Sequence, residues 1–268
     1  MKVSVLIITY NQENFITQAV NSVLRQKVNF NYEIIIGEDC STDKTRDFLI
    51  NLKKKNPDRL RLIMNEKNVG KQKNFIKTFK NCKGEYIAIL EGDDYWTSPY
   101  KLQRQVNFLD SHQECSECFH NVLLKYENDS IPNRLYHQKD IKTFFNLEDL
   151  VDGNFIPSCS TMFRSGLFDE FPEWYNNIPM CDWPLHIFNA HHGNIAYINK
   201  VMAVHRLHTN GSWHSLNRIE QLKARIYAAE IIDRHLNYKF TKKIRNNISQ
   251  YNKEIANILE KKNAENKN

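Results

Sequence analysis

The sequence predicts an α/β fold, a Rossmann-like and mostly parallel sheet with helices on both faces and a helical extension at the C-terminal end. Three observations lead there. Strand-like and helix-like stretches alternate through the first hundred of the 268 residues. The strand-like runs are short and almost wholly apolar, as strands covered on both faces must be. The helix-like runs carry apolar residues on one side only. A repeating β-α-β order gives parallel strands joined by right-handed crossovers.

Lys2 to Thr9 is a β-branched apolar run, the expected first strand. Asn14 to Gln26 places Phe15, Ile16, Ala19, Val20, Val23 and Leu24 at helical spacing. Glu33 to Gly37 is a second strand. Ser41, Thr42 and Asp43 are cap-type residues before a helix that runs to Lys55, where Asn56-Pro57 ends it. Arg59 to Met64 is a third strand, Lys71 to Asn81 a helix with Phe75, Ile76 and Phe79 on one face, and Glu85 to Leu90 a fourth strand. Beyond Pro99 the pattern predicts a helix over 101–111, a strand over 118–126, a polar surface loop over 127–140 and a short helix over 147–151. A strand over 160–164, a helix over 184–191 and two short strands over 195–199 and 202–205 follow. From Leu216 onward the chain reads as helical.

Composition narrows the class. The hydrophobic fraction is 41% and the charged fraction 25%, ordinary for a globular domain. No apolar run approaches the roughly 18 residues that span a bilayer, and no secretory signal pattern opens the chain. The reading is therefore a cytoplasmic protein, with the inner face of the membrane as an alternative place of work. Six scattered cysteines have no framework spacing and are expected as reduced thiols. The net charge of +6 suits a phosphorylated substrate or an anionic surface and is too mild and too spread for nucleic acid.

Ligands on open parallel sheets bind beyond the carboxyl ends of the strands. Those positions here are Thr9-Tyr10-Asn11, Glu38-Asp39, Asn65 to Gly70 and Glu91-Gly92-Asp93-Asp94. No glycine-rich dinucleotide fingerprint or phosphate loop is present, so backbone amides do not cradle a diphosphate in the first turn. Three carboxylates around Gly92 form instead a hard, oxygen-rich site for Mg²⁺ or Mn²⁺, able to offset the charge of a departing diphosphate. Taken alone, the cluster also reads as a solvated turn; Glu38-Asp39 at a neighbouring strand end favours a site.

The stretches Val3 to Asn11, Ile36 to Asp43, Asn68-Val69-Gly70 and Lys83 to Asp94 together resemble the family 2 glycosyltransferases, which have the GT-A fold. The resemblance is strong to about residue 110 and weaker to about 215. It implies a GT-A domain over 1–215, with a nucleotide-sugar half at 1–98 and an acceptor half at 99–215, and a helical extension at 216–268. It implies an inverting transfer from a UDP-sugar, or another NDP-sugar, to an acceptor hydroxyl with Mn²⁺ or Mg²⁺. The acceptor would be a glycan or lipid-linked glycan and the product a bacterial surface polysaccharide or glycoconjugate. By position, Asp39 contacts the base, Thr9 and Tyr10 line its pocket, and Glu91 and Asp93 occupy the acidic metal motif, with Glu where Asp is usual. Asp94 orients sugar hydroxyls, and Lys71 or Lys73 meets phosphate or sugar. Asp182 is the general base, with Asp169 and Glu173 as fallbacks and Trp183 as an aromatic wall. His208 is a further metal or phosphate ligand and Arg206 a phosphate contact. A sugar nucleotidyltransferase, and a non-catalytic nucleotide-sugar or glycan binder on the same scaffold, are the competing readings.

Two signals weigh less. His112, Cys115, Cys118 and His120 have a zinc-like density, but they straddle a helix end and a strand start. Ile244, Ile248, Tyr251, Ile255 and Ile258 form a helical stripe that suits docking on the same chain, self-association into a homo-oligomer, or contact with a membrane surface.

Overall fold

The computed structural model describes residues 1–127, 131–209, 211, 213 and 215–265. Ten strands form one sheet, in the order β3-β2-β1-β4-β9-β6-β10-β5, with β7 on β6 and β8 on β10. The first half alternates β1 (Val3–Thr9), α1 (Ile16–Leu24), β2 (Tyr32–Glu38), α2 (Thr45–Lys55), β3 (Leu60–Met64), α3 (Lys71–Phe79) and β4 (Tyr86–Glu91). The second half contains β5 (Tyr95–Trp96), α4 (Lys101–Ser111), β6 (Cys115–Tyr126), β7 (Arg134–Leu135), β8 (Phe144–Phe145), α5 (Leu147–Leu150), β9 (Met162–Arg164), α6 (Asp182–Ala190), β10 (Asn194–Leu207), α7 (Arg218–His235) and α8 (Thr241–Glu265).

Strand β1 is buried along its whole length and pairs in parallel with β2 on one side and β4 on the other. Its alternating side chains feed two cores. Val3, Val5 and Ile7 pack with Ile16, Val20 and Val23 of α1 and with Leu102 and Val106 of α4. Leu6 and Ile8 pack on the opposite face with Phe75 of α3, Phe163, Tyr175 and Leu185. A third core joins Trp183 and Ile187 of α6 to Ala228, Ile232 and Ile244 of the C-terminal helices. The chain leaves β1 for β2 and β3, then returns to β4 on the far side of β1. That reversal opens a crevice at the carboxyl ends of β1, β2 and β4.

The second half departs from the sequence reading in three places. The two short strands expected over 195–205 are one strand, β10; the polar Asn199-Lys200 step is absorbed by shifts of register against β6 between Ile198 and Ala203. The surface loop expected over 127–140 contains β7, paired with Leu123 and Leu124; its residues 128–130 lie outside those described. The C-terminal helix is two helices, broken after His235 where Asn237 and Tyr238 take positive φ. Ile244 is buried and Ile248 packs on the third core, so the start of the apolar stripe docks on its own chain. No described helix is long and apolar enough to cross a membrane.

Candidate active site

The first turn stands without glycine because the second loop braces it. Asn11 has φ 52. Its backbone N–H donates to Ser41 Oγ at 3.0 Å, and its side-chain oxygen accepts from Thr42 N at 2.8 Å. Gln12 N donates to Thr45 Oγ1 at 2.8 Å and Glu13 N to Asp43 Oδ2 at 3.0 Å. Asp43 also accepts from Thr45 N at the start of α2. These side chains accept from the backbone N–H donors that a tight turn leaves unmet. Tyr10, beyond this brace, is 44% exposed, whereas Thr9 is buried and donates to Gln12 Oε1 at 2.7 Å.

The adjacent carboxylates Glu38 and Asp39 do different work. Glu38 is fully buried; it accepts from Ser41 N at 2.6 Å and from Arg46 Nε at 2.5 Å, which ties α2 to the sheet. Asp39 does not cap α2. Its Oδ1 accepts from Val69 N and Asn65 Nδ2, and its Oδ2 from Gly70 N, all at 2.9 Å. Gly70, at φ 90, lets the chain swing from this anchor into α3. Oδ2 keeps one lone pair for a further donor.

Strand β4 ends in the acidic motif. A Cβ on Gly92 would lie 2.8 Å from Thr9 Oγ1 and nearer still to Gln12 Oε1, so only glycine passes under β1 here. Ser158 Oγ donates to Glu91 Oε1 at 2.5 Å, while Glu91 Oε2 is buried with no hydrogen-bond partner. Burial, then the charge of Asp94, pushes the Glu91 carboxyl up to about 7. Asp93 behaves oppositely. Burial works against its charge, but the hydrogen bond from His208 and the charges of His205 and His208 together hold its pKa below the usual range. His208 Nε2 lies 3.1 Å from Asp93 Oδ2.

Asp94 is fully buried, and both of its oxygens are engaged, by His205 Nδ1 at 2.9 Å and Arg206 N at 2.8 Å. It therefore clamps β10 to the motif instead of facing a sugar. Arg206 is likewise engaged within the protein. Its guanidinium is 95% buried between Phe15 and Tyr95 and donates to Asp93 O and Gln18 Oε1. Its Nε approaches Glu127 Oε1 at 3.0 Å, off the N–H direction, an ion pair without a hydrogen bond. The phosphate contact expected of Arg206 gives way to a structural one that holds the Asp93 backbone.

His205 carries a pH prediction. Burial opposes its charge, but the Asp94 carboxylate raises its pKa to about 9, above the 6.5 of the free side chain. A raised folded-state value means the contribution is complete below 6.5 and fades as pH rises through about 9. The thermal midpoint of the wild type is expected to fall across that window more steeply than that of His205→Gln. Equal slopes in a pH series of melting curves would remove this pair as the cause.

Across the crevice, Asp182 opens α6, and its Oδ2 accepts from Asn154 Nδ2 at 2.8 Å. Lys71, at the start of α3, reaches the same cavity, which Glu91, Ser158, Cys181 and Asp182 line above Ile8 and Ile89. Lys71 is an exposed residue that borders the cavity beside the carboxylates of Glu91 and Asp182. Burial opposes its charge; the negative field of Cys181, Glu91, Asp182 and Asp93 outweighs this and raises its pKa. Burial pushes the Cys181 thiol up to about 11, so the carboxylates supply that field near neutral pH. A wider hollow of about 590 Å³ at the opposite ends of the strands, between Gln26, Lys27, Tyr32 and Arg59, contains no carboxylate and does not compete with this cleft.

The other residues singled out from the sequence lie as follows. Trp183 is buried and donates to Leu150 O at 2.7 Å, so it is a core residue and no sugar wall. Asp169, Glu173 and Lys73 are exposed, and none lines the cavity. His112 stacks on Phe108, and His120 is buried with its Nδ1 on Asn121 O. Among the described residues, the four His and Cys side chains of that segment do not gather as a metal group. Of the segment 209–213 that follows His208, residues 210 and 212 lie outside those described. Sequence reasoning missed Ser158 and Asn154, which set the rotamers of Glu91 and Asp182. Each is some tens of residues away from its partner, and neither carries a motif.

The model of glycosyl transferase family 2 matches residues 4–171. The chain belongs to that family. An uncharacterized protein of Mycobacterium tuberculosis (strain H37Rv) is 38% identical over 216 residues, 79% of this chain and 60% of the relative. This family 2 chain thus spans 60% of the length of that relative, less than two thirds. Among solved structures, Staphylococcus aureus TarS 1–349 in complex with UDP-GlcNAc aligns with TM-score 0.63 at 22% identity, over 86% of this chain and 66% of that one. The mannosyltransferase PcManGT of Pyrobaculum calidifontis, in complex with GDP-Man and Mn²⁺, aligns with TM-score 0.63 at 17% identity, over 87% and 64%. At these identities the two structures show that the family 2 chain has their GT-A-like fold.

Proposed function

We propose that the protein is an inverting glycosyltransferase that moves a sugar from a UDP-sugar, or another NDP-sugar, to an acceptor hydroxyl with Mn²⁺ or Mg²⁺. One observation carries this: Glu91, Lys71 and Asp182 line one cavity at the carboxyl ends of the strands, the charge of Asp93 reaches Lys71 there, and Glu91 Oε2 is buried without a partner. A buried carboxylate oxygen with no donor is costly unless a ligand completes it. Glu91 and Asp93 carboxylates with the His208 imidazole are a donor set that suits a divalent ion. When bound, that ion supplies charge compensation to the departing diphosphate.

The chain's own groups divide the remaining work. Tyr10 and the free lone pair of Asp39 would hold the base, a carboxylate being a good acceptor for an imide N–H. Lys71 would meet the sugar or its phosphate in the cavity it already lines. Asp182, held by Asn154 through Oδ2, has Oδ1 available to take the acceptor hydroxyl proton as that oxygen attacks C1 of the sugar. The bond from C1 to the diphosphate breaks on the opposite face, which inverts the configuration. TarS is named a poly(ribitol-phosphate) β-N-acetylglucosaminyltransferase, and its sequence is 32% identical over 114 residues, 42% of this chain and 19% of TarS. That likeness, with the GT-A-like fold, supports a product on the bacterial surface.

The test is nucleotide diphosphate release from a panel of UDP- and GDP-sugars, with Mn²⁺ and with chelator. Slow release that requires the metal is expected for one of them. Equal release in chelator would contradict the metal reading, and no turnover of any donor, with or without glycan, would favour a binder on the same scaffold.

A further inference from the structure

Arg225 lies on α7, one turn before Ala228 and Ala229, which pack with Trp183 and Ile187 of the helix that Asp182 opens. Its guanidinium sits 5.5 Å from the Trp213 ring centroid. Gln221, one turn earlier on the same helix, pins that loop by donating to Trp213 O at 3.1 Å and Leu216 O at 3.2 Å. Arg225 Nε is shielded from solvent and has no hydrogen-bond partner. Glu254, whose charge it feels, is already held by Arg218 at 2.7 and 3.1 Å. Among the described residues, no carboxylate is ion-paired with Arg225. Tyr136 links this corner to the base: the residue is 37% exposed, and its hydroxyl lies in the field of both Asp182 and Arg225.

A guanidinium whose Nε is shielded and unpartnered, with no ion-paired carboxylate among the described residues, is poised for an anion, and its planar fork matches a carboxylate or phosphate. The half-buried Trp213 and the exposed Tyr136 offer aromatic surface that suits the apolar faces of sugar rings. We propose that Arg225, Trp213 and Tyr136 form the acceptor subsite, and that it selects an acceptor glycan carrying an anionic group, a phosphodiester or a carboxylate, close to the hydroxyl that is glycosylated. This rests on Asp182 being the base, since that places the accepting hydroxyl on this side of the cleft.

Binding of three small probes to the full chain, saturated with UDP and Mn²⁺, tests it by NMR titration: glycerol 3-phosphate, glucuronic acid and glucose. At least one anionic probe should bind more tightly than glucose, and Arg225→Ala should weaken it about tenfold or more, as loss of a charge-assisted contact does. Arg225→Lys, which keeps the charge and loses the fork, should fall between. UDP affinity should stay the same in both variants, which shows that the fold is intact. The stronger anionic probe identifies phosphate or carboxylate as the acceptor's group. Equal binding of glucose, or anion binding indifferent to Arg225→Ala, would overturn the proposal. Failure of the base reading is separate: it shows as transfer that survives Asp182→Asn, whatever Arg225 does.

Discussion

Asp182→Asn is expected to lose sugar transfer by about 10²- to 10⁴-fold, the contribution of a positioned general base, while UDP affinity stays unchanged. The side chain keeps its size and can still accept from Asn154, so α6 need not move. Only the capacity to take a proton is lost. Donor hydrolysis without acceptor should fall less than transfer, because water needs the same base but is not the substrate that the cleft positions. Unchanged transfer would remove Asp182 from the mechanism. Neither Asp169 nor Glu173 would then replace it, since both lie exposed outside the cavity.

Asp93→Ala is expected to lower metal-stimulated donor turnover by about 10²- to 10³-fold, the scale seen when one electrostatic stabiliser of a departing charge is removed. The effect has two parts. A carboxylate ligand disappears, and His208 loses the oxygen that lies 3.1 Å from its Nε2. Arg206 still holds the backbone at position 93, because that contact is to the carbonyl oxygen. The scaffold should therefore persist, and thermal unfolding of the variant should remain cooperative. Glu91→Gln separates the two carboxylates. It keeps an oxygen for Ser158 and removes the charge that burial already disfavours, so its loss should be smaller than that of Asp93→Ala.

The first half of the fold was legible because its strands are buried on both faces and its helices on one, which writes two different periods into the sequence. Glu91 and Asp93 were legible for a related reason: a strand that is apolar to Leu90 and then turns acidic must end at a surface with a purpose. Asp39 was found but half understood. Its hydrogen bonds to Val69 and Gly70 explain why the Asn68-Val69-Gly70 stretch accompanies it, and only the three-dimensional structure shows that the two touch. Local polarity misled at Asn199-Lys200, where a long strand shifts register instead of ending. Trp183 misled because adjacency to Asp182 on a helix puts the two side chains on different faces. Arg206 misled because a guanidinium beside an acidic motif reads the same in sequence whether it meets a ligand or the backbone of the motif itself. Ser158, Asn154 and Arg225 left no local signal, since their meaning depends on partners distant along the chain.

The central claim is that the carboxyl end of β4 holds a divalent ion together with the donor diphosphate. Mn²⁺ binding followed by electron paramagnetic resonance, with and without UDP, tests it most directly. UDP is expected to tighten Mn²⁺ binding to the wild-type protein, and Asp93→Ala to abolish this tightening while Asp182→Asn leaves it intact. Mn²⁺ binding that is indifferent to UDP, or that survives Asp93→Ala unchanged, would contradict it.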